Sequence, residues 1–279
     1  MRMKFAGIRR KTEFSPNHVE NDLSIINLTS ENLKRLGAEI AMYDEADITP
    51  DSIKEDLVFS MAQGPAGTSV LRRFSQGRRV LIINSPESVS NCYRTNMVKL
   101  LPRNGIPFPR SEIIKTSPAG PSGSIFDGFG ARKLWLKRGD VHAVHREDVS
   151  LVYSSDEVRS LLGEFNQRGI ESAILQEHLD GDTVKFYSVR GSEFFHWYYL
   201  NGVNRTPFSL DYLKELARLS ADILGLFVFG GDAIIAPNGT ITIFDVNDWP
   251  SFAPIRDRAS REIANLIFKK AEDFYDARS

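Results

Sequence analysis

The stretch Gly230-Gly-Asp232-Ala-Ile-Ile-Ala-Pro-Asn-Gly-Thr-Ile-Thr-Ile-Phe-Asp245-Val-Asn247-Asp-Trp-Pro-Ser-Phe252 orders the rest of the chain around it. Two apolar, β-branched runs flank Asn238-Gly239, a dipeptide suited to the left-handed backbone of a two-residue hairpin turn. With those two residues as the turn, Pro237 pairs with Thr240, and the register sets Asp232 opposite Asp245. Asn247, two residues on, shares their face. Opposed carboxylates have Cβ atoms roughly 5 Å apart and repel each other. Two carboxylates and an amide are hard oxygen ligands, and together they suit Mg²⁺ shared with phosphate oxygens. The alternative is an exposed strand face on which the two Asp never meet.

At 279 residues the chain is too long for one ordinary core, so two or three sub-domains are expected. A formal net charge of −1 gives no field that would draw nucleic acid or an acidic membrane, and neither is expected as a partner. The single cysteine, Cys92, excludes an intramolecular disulfide framework and fits a reducing compartment. No apolar run approaches the roughly 20 residues of a membrane span. The apolar start around Phe5–Ile8 is too short for a secretory signal and reads as a first buried strand. A soluble, cytoplasmic protein is expected.

Residues 3–8 read as a strand followed by the basic loop Arg9-Arg10-Lys11, and Val19 to Leu36 as a helix closed by Gly37. Strand-like runs at 38–43, 57–61 and 79–84 continue a β-α-β rhythm. One helix is expected from Ser85-Pro86-Glu87 to Asn104, stopped by Gly105. Residues 1–105 therefore read as an α/β domain with a largely parallel sheet. Ile106-Pro-Phe-Pro-Arg110 is a connector, and the Ser-, Gly- and Pro-rich 116–130 a mobile loop. Strands are expected at 133–138, 173–179 and 185–189, with helices over 154–169, 209–225 and 257–275. The expected units are 1–105, 106–175 and 176–279.

Lys137 ends an apolar strand and, with a metal hairpin downstream, can meet a nucleotide phosphate as a point charge. The following loop, Gly139 to Arg146, carries His142 and His145, which lack a third metal ligand and read as exposed or phosphate-contacting. Gln176-Glu177-His178-Leu179-Asp180-Gly181-Asp182 runs a strand into an acidic turn. Acids there can accept ribose hydroxyls, and the backbone of His178 and Leu179 can read an adenine edge. Lys185, on the next strand, is the candidate to stabilise a transferring phosphoryl group.

This order, Lys strand, Gln-Glu strand and hinge, basic strand, then Asp232…Asp245-x-Asn247, resembles the ATP-grasp superfamily along the whole chain. Glutathione synthetase, the ribosomal-protein glutamate ligases and the inositol-trisphosphate 5/6-kinases share the order. The resemblance implies an ATP-grasp fold: an N-terminal α/β substrate domain, then two α+β sub-domains that sandwich ATP. By position it implies that Arg94 and Lys137 bind phosphate, Gln176, Glu177, His178 and Leu179 form the adenine hinge, and Asp182 is a ribose ligand. Asp232, Asp245 and Asn247 would hold two Mg²⁺ ions, with Mn²⁺ as the alternative metal.

Typical ligases of this type have Glu-x-Asn where this chain has Asp245-Val-Asn247, and Arg where it has Lys185. Both spellings, and the Asp248-Trp-Pro-Ser-Phe252 turn, are similar to the inositol-phosphate kinases, as are His142 and His145. A polyphosphate acceptor needs a dense basic pocket, and the sequence offers only Arg9, Arg10 and Lys11, with scattered Arg138, Arg146 and Arg190. The expected activity is a carboxylate–amine ligase working through an acyl phosphate on a small-molecule or peptide acceptor, with a homodimer left open. A kinase acting on an alcohol is the second reading, and a nucleotide-binding module without turnover the third.

Overall fold

Alternating strands and helices build the N-terminal unit. In the computed structural model, which describes residues 3–15, 18–117, 125–141 and 144–277, it contains β1 (Lys4–Arg9), α1 (Val19–Arg35), β2 (Glu39–Asp44), β3 (Leu57–Ser60), α2 (Pro65–Ser75), β4 (Leu81–Ile83), α3 (Pro86–Asn91) and α4 (Arg94–Arg103). The sheet order is β2-β1-β3-β4 and every pair is parallel. Parallel strands covered on both faces read as unbroken apolar runs, which explains Phe5–Ile8 and Leu57–Phe59. Gly37, at φ 96°, ends α1 in the left-handed conformation, and Ala38 N–H reaches back to Leu33 O at 3.1 Å. The single helix expected over 86–104 is two helices. Tyr93 is extended (φ −61°, ψ 135°), so the backbone leaves the helix there and restarts it at Arg94.

The central unit holds β5 (Ser111–Lys115), α5 (Ile125–Phe129), β6 (Leu134–Arg138), β7 (Val149–Val152), α6 (Ser155–Gln167) and β8 (Ser172–Glu177). Its strands pair antiparallel in the order β5-β8-β6-β7. Ser154 caps α6, its hydroxyl accepting from Glu157 N–H at 3.2 Å. That helix packs Val158, Leu162 and Phe165 on Leu134, Leu136 and Leu175, which leaves the other sheet face for a cleft. The sheet runs to Glu177, two residues past the boundary expected at 175.

The C-terminal unit contains β9 (Asp182–Val189), β10 (Phe195–Asn201), α7 (Leu210–Leu224), β11 (Val228–Ile235), β12 (Ile241–Asp248) and α8 (Arg256–Asp276), in the antiparallel order β10-β9-β11-β12. The strand β10, Phe-His-Trp-Tyr-Tyr-Leu-Asn, is absent from the sequence reading because aromatic residues occupy both of its faces and hide the alternation. The hairpin expectation holds at its far end and fails at its tip. Near the tip Ile235 pairs with Ile241 and Ala236 N–H bonds Thr240 O, so the loop is three residues, Pro237-Asn238-Gly239, with Gly239 at φ 82°. A register shift between Asp232 and Ala233 takes in Phe244 and restores Asp232 opposite Asp245 and Gly230 opposite Asn247.

Helix α7 lays Leu213, Leu216, Ala217 and Ala221 on Val184, Phe186 and Ala233. Period-two alternation then sends Lys185 and Asp232 to the opposite face. Helix α8 returns to the N-terminal unit, where Ile263 and Ile267 join Phe5, Ile25 and Leu33 in one core. The Asn84 side chain bonds Phe227 N–H and both backbone groups of Val228, fastening β11 to the parallel sheet. Among the described residues no helix is long and apolar enough to cross a membrane.

Candidate nucleotide and acceptor site

Cross-strand pairing sets a row of side chains on the cleft face of the C-terminal sheet. Tyr198 of β10 pairs with Lys185 of β9, Lys185 with Asp232 of β11, and Asp232 with Asp245 of β12. Lys185 Nζ donates to both Asp232 oxygens, at 2.8 and 3.0 Å. Burial is the largest influence on the Asp232 carboxyl and raises its pKa; the Asp245 charge adds to this, and Lys185 opposes it. Burial works against the charge on Lys185, but Asp232 and then Asp245 outweigh it and raise the ammonium pKa. The row thus concentrates negative charge and holds one ammonium in place.

A second set comes from the central sheet. Lys137 is 6% exposed, and its Nζ donates to Gln176 Oε1 at 2.6 Å and sits 5.3 Å from the Phe244 ring centroid. Gln176 in turn donates to Ser111 Oγ at 3.0 Å, which fixes the amide. Burial pushes the Lys137 ammonium down to about 8, helped by the Arg94 charge and resisted by Asp245 and Asp232. Arg94 is buried, and its guanidinium donates to Val141 O at 3.2 Å and to Arg138 O at 3.4 Å, pinning the loop after β6. Burial lowers its pKa, while the Asp245 charge supports it. Asp245 therefore acts on Arg94, Lys137, Lys185 and Asp232 together, and the four elements that carry them converge on it.

Two cavities meet along this row. One, of about 450 Å³, lies between the central and C-terminal sheets. Lys137, Gln176, Glu177, His178, Leu179 and Asp232 all line it, as the sequence reading requires of a nucleotide site. The other, of about 490 Å³, opens between α1, β9, β10 and the loop after β12, and Arg10, Lys185 and Asn247 line it. Leu200 lines both and lies on the border between them.

The remaining candidates lie elsewhere. Asp182 is buried beneath the first cavity, not in its wall, because its neighbours Gly181, just before β9, and Thr183 take the cleft face. Arg9 points to β2 and pairs with Asp44 at 3.2 Å, away from the second cavity. Arg10 reaches that cavity with its guanidinium heavily committed: to Asp22 at 2.8 Å, Trp249 O at 3.0 Å, Met61 O at 3.1 Å and Asp248 O at 3.4 Å. His145 is exposed, lines neither cavity, and gives its backbone N–H to Asp148 at 2.9 Å. His142 lies outside the described residues, as does part of the 116–130 loop. Sequence reasoning missed Thr183, Leu200 and Asn201. Thr183 was within reach, being one strand repeat from Lys185 on the same face; the other two lie on the unrecognised β10.

Among the described residues no group of three or more His, Cys, Asp or Glu side chains could hold a metal ion. The donor set is instead two carboxylates in register and one amide on the same face. That suits Mg²⁺, which binds few protein oxygens and completes its shell with water and phosphate. Asp232 is buried and stands directly opposite the Asp245 carboxylate, a repulsion that a divalent cation would relieve, and the residues fit the ion.

No family model matches the sequence, and no curated protein does. Solved structures do match along the whole chain. The D-alanine–D-alanine ligase of Bacillus anthracis superposes with TM-score 0.72 at 16% identity, covering 99% of this chain and 100% of that one. An ATP-grasp RimK domain protein of Sphaerobacter thermophilus gives 0.66 at 14% identity, with 95% and 99% covered. The ATP-grasp ligase PsnB, solved with minimal precursor, Mg and ADP, gives 0.63 at 16% identity, with 96% and 98% covered.

Proposed function

We propose, from the premise that this chain has the ATP-grasp fold of those neighbours, that it uses ATP and Mg²⁺ to join a carboxylate to an amine. The base would lie against Gln176 to Leu179 in the cavity between the sheets, with the phosphates toward Lys137 and Asp232. Asp232, Asp245 and Asn247 would hold the metal, which when bound neutralises charge on the β- and γ-phosphates. Lys185 would exchange Asp232 for the migrating phosphoryl group. A carboxylate oxygen of the acceptor attacks the γ-phosphorus and ADP leaves. The amine nitrogen then attacks the acyl carbon and gives up a proton, and phosphate leaves as the amide forms. The acceptor is a small molecule or a peptide.

One observation carries the choice of acceptor. Arg10 and Lys185 are the only Lys or Arg among the described residues that line the acceptor cavity, and each is already paired with an aspartate. A polyphosphate would need several convergent free cations. The Asp245-Val-Asn247 spelling and Lys185 favour the second reading, transfer of the same phosphoryl group to an alcohol. Hydroxylamine separates the two. With ATP, Mg²⁺ and a panel of carboxylates, the ligase yields a hydroxamate and free phosphate. A stable phosphate monoester formed with no amine present establishes the kinase, and ATP binding with neither product establishes the binding module.

A further inference from the structure

Asp182 is 2% exposed and faces away from the cavity, yet its carboxylate is not idle. It accepts from Thr206 N–H at 2.7 Å, from the Thr206 hydroxyl at 2.8 Å and from Asn204 N–H at 3.3 Å. Thr206 is held from the other side as well, because its carbonyl accepts from Tyr199 Oη at 2.7 Å. Gly202 passes directly over the carboxylate. Its φ is 107°, and a Cβ there would lie 2.0 Å from Asp182 Oδ1. The segment 202–206, which links β10 to α7, is thus laid across one buried anion whose hydrogen-bond donors are all neutral. Such burial is costly unless the carboxylate is fully hydrogen-bonded. The bonds from Thr206, then Asn204, hold its carboxyl below the usual carboxylate range.

The residues just before this segment are walls of the site. Asn201 lines the nucleotide cavity and is the register partner of Thr183, which lines it too. Along β9, Gly181 lies at the base end and Lys185 at the phosphate end, with Thr183 between them, one strand repeat of roughly 6.6 Å from Lys185. With a nucleotide placed as proposed above, that is the level of the sugar. Leu200, half exposed, stands between the two cavities.

We propose that Asp182 is a positioning residue: by holding 202–206 it fixes Asn201 beside Thr183 at the level of the ribose hydroxyls, and fixes Leu200 as the partition between nucleotide and acceptor. This rests on the nucleotide reading above. Sequence order put Asp182 on the ribose itself; its action is one step removed, through the segment it anchors.

The test compares Mg²⁺·ADP with Mg²⁺·2′,3′-dideoxy-ADP, by calorimetry, on the wild-type chain and on Asp182→Asn, Gly202→Ala and Thr206→Val. The wild type binds ADP about three- to tenfold more tightly than the dideoxy analogue, the worth of a hydrogen bond or so. Each variant loses most of that preference by weakening ADP alone. The Asp182→Asn, Gly202→Ala double variant is no worse than the singles, because both act through one segment. A merely structural role moves both ligands together and leaves the ratio intact, and that result overturns the proposal. Thr206→Val removes one hydroxyl and keeps the test decisive if the other variants do not fold. A wild type that binds both ligands equally overturns the ribose placement. One that binds neither overturns the nucleotide reading itself, a distinct result.

Discussion

Two ion pairs border the cavity between α1 and β9, and they are built in opposite ways. Arg10–Asp22 and Lys185–Asp232 have the same 2.8 Å separation. In the first, side-chain exposures are 8% and 7%; in the second, 23% and 11%. Arg10 also donates to three backbone carbonyls, and Asp22 accepts from Ser15 Oγ at 2.6 Å, so that pair is closed on itself. Lys185 donates to both oxygens of Asp232, and Asp232 faces a second carboxylate, Asp245. A pair whose anion repels its neighbour and whose cation has one partner can exchange that partner for a ligand. A pair tied to three backbone carbonyls and a serine must give up far more to do so. On the proposed chemistry, being charged and lining a cavity does not separate a working group from a structural one; the number of other commitments does.

The largest effect that tests this contrast is on turnover. Asp245→Ala removes one of the two opposed carboxylates and, on the proposed chemistry, lowers ATP turnover by about 10³-fold or more, as does chelation of Mg²⁺. Thermal stability changes by less than turnover does, because the lost repulsion with Asp232 is set against the lost support for Arg94, Lys137 and Lys185. A variant that loses stability and keeps turnover makes Asp245 structural and breaks the comparison. Next in size is Arg10→Met, which strands a buried carboxylate and costs about 3 kcal/mol in urea unfolding, with nucleotide affinity unchanged. If stability holds and acceptor affinity falls instead, Arg10 belongs with Lys185. Smaller again is the stability cost of Lys185→Met, about 1 kcal/mol or less, since Asp232 can protonate where its carboxyl is already raised.

The sequence makes one side of this contrast visible and conceals the other. The row Lys185–Asp232–Asp245 follows from strand period and register, which are local properties of β9, β11 and β12. Even so, the expected two-residue turn is wrong by one residue, and only the extra residue Phe244 brings the two Asp back into line. A bulge of that kind is set by packing and leaves no signature in the hairpin sequence. The partner of Arg10 could not be read, because Asp22 lies on α1 and Arg10 just past β1, and no local periodicity fixes how those two elements meet. Asp182 is the instructive error. Alternation from Lys185 puts Thr183 in the cleft and Asp182 behind it, so the strand period held the right answer while the acidic motif suggested another. Strand β10, with Leu200 and Asn201 of the site, was hidden by aromatic residues on both faces.

Asp148 gives the smallest and sharpest test, because it is the closed type of aspartate carried to its limit. It is 0% exposed and takes Arg138 at 3.0 Å, Arg168 at 2.6 Å and the N–H groups of Val144 and His145. Burial by itself would raise its carboxyl pKa. The His145 and Val144 N–H groups, then Arg138 and Arg168, outweigh burial and leave it below the usual range, the reverse of Asp232. The sign follows from linkage: a carboxyl depressed in the folded state binds fewer protons there than in the unfolded chain. Its stabilisation is complete above the unfolded value of about 3.9 and is lost as pH falls through the lower folded value. Asp148→Asn should therefore be less stable than wild type at neutral pH, with the gap narrowing as pH drops below about 4 in urea titrations. For Asp232→Asn the same measurement gives the opposite trend: a carboxyl raised in the folded state contributes most below its unfolded value, so the gap narrows as pH rises through the folded one. Parallel pH curves for the two variants would show that the distinction between a closed and an exchangeable pair has no energetic content.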